Sequence, residues 1–332
     1  MRAIVIDEPG RVSLTTVDDP APGPREVIVA PAAVGICGTD IHILDGEFEP
    51  TPYPIIPGHE FAGTVVAVGS EVTELAADDR VAVDPSLFCG ECHYCAVGRG
   101  NLCERWGAIG VTTSGACADY VAAPVADCHR IPEALPFDHA ALIEPLSCAV
   151  HAFDLLPGRM GEHYLVYGAG TMGLFMAQLA RGAGAASVSV VDLNSERLAV
   201  AAKLAADHTA TSADGLDRPG WDVVIDCTGA VPAIEDGLKR VRRGGTFQVF
   251  GVAPSEATAN FSPFRVYNDE ITIVGSMAVL HSYGRAVDLM AKGAVDADAM
   301  ISHRFTLDEY TDALDAFRAG RGRKLQVHPQ SR

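Results

Sequence analysis

Gly168-Ala169-Gly170-Thr171-Met172-Gly173 places glycine at the first, third and sixth positions of a hexapeptide. Alone, that spacing says little. Its surroundings decide the fold. Tyr164-Leu165-Val166-Tyr167, just before it, is a continuous apolar run of the kind that forms a buried strand, and residues 172–182 read as an apolar helix. A second strand, residues 187–192, ends on Asp192, 19 residues beyond Gly173. Strand, glycine turn, helix, strand and terminal acid are what dinucleotide binding requires. Gly168 permits the tight turn, Gly170 lets a pyrophosphate approach the backbone, and Gly173 lets the helix pack close on the strand. The helix start offers free N–H groups and partial positive charge to phosphate. Asp192 would accept hydrogen bonds from the adenosine ribose hydroxyls and repel a 2′-phosphate, which favours NAD over NADP. Arg197, one helical turn on, reads either as a ribose or adenine contact or as a surface arginine.

The same rhythm continues outward. A helix begins near Ser195, strand 221–226 follows, then a helix after Val231, and strands 246–250 and 271–274. Strands alternating with helices predict an α/β fold with a parallel, doubly wound sheet. Upstream, the first ~150 residues are short apolar runs (27–29, 63–68, 80–83) broken by Pro and Gly, with a loop at 20–25, as in a β-rich barrel or sandwich. Downstream, Thr306-Leu307-Asp308-Glu309 has a capping-box pattern that predicts a helix running to about Ala319, and residues 324–327 read as a last strand. The pattern alone does not assign this tail to either half.

Composition narrows the function classes. The chain has 332 residues, 48% of them hydrophobic, and a formal net charge of −18. Such acidity repels nucleic acid and anionic membrane, so neither is an expected partner. No run of about 18 apolar residues suggests a membrane span, and Asp7 and Glu8 interrupt the N-terminus too early for a secretory signal. Nine cysteines, an odd number, argue against a disulfide framework and for a reducing, cytoplasmic setting.

There, closely spaced cysteines are metal ligands more often than not. Cys89-x2-Cys92-x2-Cys95-x7-Cys103 places four thiols on a glycine-containing loop, enough to close a tetrahedron around Zn²⁺ with no position left for substrate. Such a site is structural. Iron–sulfur clusters use similar spacings, but their typical runs differ from this one. Three further places carry zinc-compatible side chains: Gly35-Ile36-Cys37-Gly38-Thr39-Asp40-Ile41-His42, Gly58-His59-Glu60-Phe61-Ala62-Gly63, and Glu144 within Ala141-Leu142-Ile143-Glu144-Pro145-Leu146. A buried carboxylate such as Glu144 needs a partner. Taken singly, each has a plain reading as a core thiol, a satisfied histidine or a helix-start acid.

In combination these segments resemble the zinc-containing medium-chain dehydrogenase family over essentially the whole chain, and residues 140–146 look like its polyol (sorbitol-like) branch. The resemblance implies a GroES-like catalytic domain built from residues 1–147 and 281–332, with the four-cysteine lobe at 85–105. A Rossmann NAD-binding domain, residues 148–280, is inserted between, and the active cleft is expected between the two. It implies a catalytic zinc held by Cys37 and His59, with Glu60 or Glu144 and a water completing the shell, and a second zinc in the lobe. Asp40 would orient His59, Thr39 would hydrogen-bond the reacting hydroxyl, and His42 would end a proton relay. It places Thr171, Met172, Arg197, Thr228, Gly251, Val252, Ser276 and Met277 along the cofactor. The expected activity is reversible oxidation of a secondary alcohol or polyol by NAD, in a homodimer or homotetramer. Two departures bear on substrate. Ile43 and Ala278 stand where sorbitol-type members often carry a tyrosine and an arginine that contact the polyol, so the pocket is expected to be less polar, with Phe48 and Tyr53 as candidate lining. An aminocyclitol or threonine-type dehydrogenase shares the scaffold, and a catalytically silent zinc- and NAD-binding protein is the reading from another class. Cys117, Cys128, Cys148 and Cys227 are left as small buried thiols.

Overall fold

The structure, a computed structural model, describes residues 1–48 and 51–331. They form two compact units. The first comprises Met1–Ser147, Val279–Lys292 and Ile301–Arg332, and the second Cys148–Ala278 and Gly293–Met300. The expectation had given all of 281–332 to the first. Residues 293–300 lie with the second because Gln178, on the helix Thr171–Gly182, holds both their ends. Its Oε1 accepts from Asp296 N at 2.8 Å, and its Nε2 donates to Met300 Sδ at 3.5 Å.

In the second unit six parallel strands make one sheet. Its order is His208–Ala210, Ser187–Val191, His163–Tyr167, Trp221–Asp226, Val241–Val249, Thr272–Gly275. Numbered by sequence within the sheet, that order is 3-2-1-4-5-6, the doubly wound arrangement whose direction reverses between His163–Tyr167 and Trp221–Asp226. The central strands are buried along their length, which is why they read as unbroken apolar runs. Trp221, Tyr164, Phe175 and Phe247 are among the largest fully buried side chains.

The first unit is built on a mainly antiparallel sheet ordered Ile301–Phe305, Lys324–Val327, Glu26–Gly35, Glu60–Val68, Arg80–Val83, Cys128–Arg130, with Val121–Pro124 also paired to Glu26–Gly35. Two registers position the site. Gly35 faces Glu60 on one side and Gln326 on the other. The C-terminal strand thus lies next to the strand that ends just before Cys37. The helix expected from Thr306 begins at Tyr310 instead. Glu309 does reach back, accepting from Thr306 N at 2.8 Å and its hydroxyl at 3.1 Å, but the bonds close a turn one step ahead of the helix.

Pairing of Arg80–Val83 with Cys128–Arg130 also brings two acids together, with Asp84 N donating to the Asp127 carbonyl at 2.8 Å. Burial, and then the Asp84 charge, push the Asp127 carboxyl up to about 7. An unfolded aspartate titrates near ~3.9. Between these values the folded chain holds a proton that the unfolded chain has lost, so this group's contribution falls as pH rises through the window. Asp127→Asn is therefore expected to flatten the fall in thermal midpoint between about pH 5 and pH 8, and to unfold later than wild type at the upper end. Parallel melting curves for the two chains would reject this assignment of Asp127.

Candidate functional site

Cys37 follows the strand Glu26–Gly35 by two residues and caps the helix Gly38–Asp45. The cap is reciprocal. Asp40 Oδ2 accepts from Cys37 N at 2.8 Å, so the helix's first turn fixes both the thiol and the acid. His59 and Glu60 stand at the start of the partner strand, directly across from Gly35. The ligating atoms of Cys37, His59 and Glu60 all lie within 4.8 Å of one another, and both His59 and Glu60 are buried. Gly58 makes this possible. Its φ is +98°, and a Cβ there would meet Cys117 Sγ at 2.7 Å.

His59 Nδ1 stands 3.6 Å from the fully buried Asp40 Oδ1, just beyond hydrogen-bond reach. Burial pulls the imidazole pKa down, but Asp40 and Cys37 beside it outweigh that and hold it well above the ordinary value. A buried cluster of thiol, imidazole and carboxylate with an acid behind the imidazole is the donor set of a zinc site, and the acid is the outer partner that orients such a histidine. The residues fit the metal. Glu144 is buried at the first turn of the helix Ile143–Asp154 and is not among the residues within the 4.8 Å cluster, so the tight grouping selects Glu60 of the two acids. Its charge still reaches Lys324.

Lys324 was read only as part of a strand. It is buried, ion-paired to Glu60, and its Nζ donates to the Ile36 carbonyl at 3.0 Å. Burial pulls the ammonium pKa down, but Glu60, Cys37 and Glu144 more than reverse this. Thr39 Oγ1 lies 3.8 Å from Cys37 Sγ. His42 is exposed at the far end of the short helix, with Nδ1 2.7 Å from Glu47 Oε2. Ile43 is wholly buried in the first unit's core, so it packs rather than lines a pocket. Phe48 and Tyr53 pack partly buried against that core, and the Tyr53 hydroxyl donates to the Ile43 carbonyl.

The four lobe cysteines also converge within 4.8 Å. Cys89 and Cys95 sulfurs are 3.9 Å apart, as are those of Cys92 and Cys103. A disulfide needs about 2.05 Å. A tetrahedron with Zn–S bonds of about 2.3 Å has edges of roughly 3.8 Å. Backbone N–H groups of Glu91 and Cys92 aim at the Cys89 sulfur and, with Arg105, lower its thiol to about 6, whereas burial and the neighbouring sulfurs raise Cys95.

In the second unit Gly168 has φ +95°, and its N donates to the Val191 carbonyl at 2.7 Å. A Cβ at Gly173 would overlap the Gly168 carbonyl, whereas at Gly170 it would meet nothing within 4 Å. The helix Thr171–Gly182 starts from Gly170 as its cap, with Thr171 and Met172 half-buried in its first turn. Asp192 ties the turn to the next strand. One carboxylate oxygen accepts from Ala169 N at 2.6 Å and the other from Asn194 N at 2.7 Å. Arg197 is half-buried in the first turn of the helix Ser195–Leu204, its N donating to Asn194 Oδ1.

Across the reversal point a second lip forms. Asp226, fully buried, accepts from Thr228 N at 3.0 Å, the Thr228 hydroxyl at 2.5 Å and Gly229 N at 3.0 Å. Gly251 packs its backbone on Thr228 and Gly229, where any Cβ would collide. Val252 beside it is exposed. Ser276 N donates to Val249 O at 3.3 Å just after the edge strand, and Met277 is partly exposed. Asp226 was not singled out from the sequence; an acid closing a β-strand before Cys-Thr-Gly was its signal.

The Alcohol dehydrogenase GroES-like domain family matches residues 23–133, and the Zinc-binding dehydrogenase family matches residues 171–292. The D-arabinitol dehydrogenase 1 of Uromyces fabae is 36% identical over 99% of this chain and 97% of its own length. This chain belongs to the zinc-containing medium-chain alcohol dehydrogenase family. It is a zinc-binding dehydrogenase that acts on CH–OH groups with NAD(P), combining a GroES-like and a Rossmann-type domain. The L-threonine 3-dehydrogenase of Mesorhizobium japonicum is 32% identical over 96% of this chain and 95% of its own. A zinc-binding dehydrogenase structure from Sinorhizobium meliloti 1021, bound to NADP, superposes with a TM-score of 0.94 at 36% identity, covering 99% of both chains. Among the described residues no helix is long and apolar enough to cross a membrane.

Proposed function

We propose that this dehydrogenase oxidises a secondary alcohol or polyol to the ketone, reversibly, with NAD and two zinc ions per chain. The observation that carries this is the buried Cys37–His59–Glu60 cluster with Asp40 behind His59. Cys37, His59 and one carboxylate hold the reactive zinc in this reading, and Cys89, Cys92, Cys95 and Cys103 hold the other. Zinc at the first site supplies Lewis-acid chemistry, making an alcohol hydroxyl a stronger acid. The nicotinamide takes the hydride.

The chain's own residues do the rest. Thr39 accepts the hydroxyl proton's hydrogen bond and orients the carbinol. His42, at the exposed end of the same helix, passes the proton to solvent. Asp40 keeps His59 in one orientation. Gly168, Gly170, Thr171, Met172 and Gly173 form the pyrophosphate turn, Asp192 and Arg197 flank the adenosine, and Thr228, Gly251, Val252, Ser276 and Met277 line the nicotinamide end. Asp192 disfavours a 2′-phosphate by charge, although the similar Sinorhizobium meliloti protein holds NADP.

The arabinitol-dehydrogenase relative supports a polyol. The threonine-dehydrogenase relative supports a second reading, an amino alcohol. The edge strand Thr272–Gly275 and the exposed Phe264, Tyr267 and Ile273 support assembly as a homodimer or homotetramer. Free lobe thiolates suit the reducing cytoplasm.

Metal analysis together with a turnover screen over pentitols, hexitols, butanediols, aminocyclitols and L-threonine, run with NAD and with NADP, tests the reading. Two zincs per chain and best turnover on a polyol with NAD are expected. Best turnover on threonine would replace the substrate assignment, preference for NADP would overturn the role of Asp192, and no turnover with full zinc would overturn the activity.

A further inference from the structure

Glu60 is claimed from two sides. It belongs to the cluster with Cys37 and His59, yet it is ion-paired to Lys324, with 2% and 3% of the two side chains exposed. The sheet explains how a residue near the C-terminus arrives there. Gln326 faces Gly35, and continuing that antiparallel register sets Lys324 across from Cys37. Glu60 faces Gly35 from the opposite flank. The two side chains meet over Gly35 because it has none. A Cβ there would overlap Glu60 Oε2 and come within 2.8 Å of Lys324 Cε. The Lys324 Nζ is fixed further by the Ile36 carbonyl.

We propose that Lys324 is a positioning residue that restrains Glu60 and makes it a weak ligand for the zinc at Cys37 and His59, so that substrate is not displaced by the chain's own carboxylate. This rests on reading Cys37 and His59 as zinc ligands. Charge supports it. Lys324 is the cation that faces Glu60, Cys37 and Glu144 together. With Cys37 as thiolate, the four groups leave two negative charges, which a divalent ion cancels. Without Lys324 a third negative charge is uncompensated in a buried place, and the zinc is the nearest positive charge that Glu60 can turn to. A buried carboxylate deprived of its cation does not stay unpaired.

The test measures metal affinity and coordination on the full chain. Zinc affinity is read by chelator competition, with Cys37→Ala giving the baseline of the lobe alone, and the visible spectrum is read after Co²⁺ replaces the exchangeable ion. Lys324→Met is expected to bind zinc at least about tenfold more tightly, a change of the size seen when a metal ligand's outer partner is altered. Its Co²⁺ bands should weaken as coordination number rises, and KM for alcohol should increase. In the double variant Glu60→Gln with Lys324→Met these changes should vanish. Equal or weaker zinc binding in Lys324→Met would overturn the proposal and leave Lys324 a purely structural partner.

Glu60→Gln alone decides the matter if Lys324→Met does not fold. A restrained Glu60 predicts zinc affinity within about twofold of wild type, whereas a full ligand predicts a loss beyond about tenfold, which would overturn the proposal. If wild type and Cys37→Ala load the same zinc, the ligand reading fails instead, and the proposal with it.

Discussion

Replacing Cys37 by alanine is expected to lower kcat/KM by more than about a thousandfold, roughly 4 kcal/mol of transition-state stabilisation, because it removes a ligand of the metal that acidifies the alcohol. The fold should be nearly untouched. The cap that Cys37 makes runs through its backbone N–H to Asp40, which alanine keeps, and the thiol's own neighbour, Thr39 Oγ1, is only a distant 3.8 Å contact. Zinc should fall from two ions per chain to one, since the lobe's four sulfurs converge independently of Cys37. Steady-state kinetics, metal analysis and a thermal melt together check this. Full turnover with two zincs retained would remove Cys37 from the reaction.

The outcome matters because the two zinc assignments rest on different kinds of sequence information. The lobe is local: Cys89, Cys92, Cys95 and Cys103 lie within fifteen consecutive residues, and their spacing alone specifies four sulfurs around a common centre. The glycine turn is local too, and so the strands and helices around it were legible from apolar runs, to within a residue or two at the ends. The reactive cluster is not local. Cys37 meets His59 through a strand register, and no spacing in the chain encodes that Gly35 faces Glu60. Resemblance to a family supplied what spacing did not.

Where register alone decides, the sequence was silent. Lys324 looked like one residue of an amphipathic strand, yet pairing Gln326 with Gly35 puts it against Glu60. The choice between Glu60 and Glu144 was likewise closed to sequence, because both are acids beside apolar runs. Residues 306–309 misled in a different way. The Thr306–Glu309 bonds that mark a capping box are present, but they staple a turn, and the helix waits until Tyr310. A local motif records which hydrogen bonds are available, whereas packing of Tyr310, Ala313 and Leu314 into the first unit's core sets where the helix starts.

Gly173 and Gly170 offer the sharpest separation of folding from binding in the second unit. In Gly173→Ala the new methyl would overlap the Gly168 carbonyl oxygen and sit 2.8 Å from its carbon, and neither is a flexible side-chain end. The clash can be relieved only by moving the turn or lifting the helix Thr171–Gly182 off the strand. Overpacking of this kind costs about 1–3 kcal/mol. The turn that moves is also the one whose N–H groups would hold the pyrophosphate. Gly173→Ala should therefore lower the melting midpoint and weaken NAD binding by on the order of a hundredfold, roughly 2.7 kcal/mol. Gly170→Ala makes the contrast. Its Cβ meets nothing within 4 Å, and φ is −75°, so alanine fits the folded chain without strain. Only a ligand pressed against that backbone would feel the methyl. Calorimetric titration with NAD beside a thermal melt should show Gly170→Ala as stable as wild type but at least about tenfold weaker in NAD affinity, a loss of roughly 1.4 kcal/mol. Unchanged NAD affinity in Gly170→Ala would mean that the pyrophosphate does not approach this turn, and that the three glycines serve packing alone.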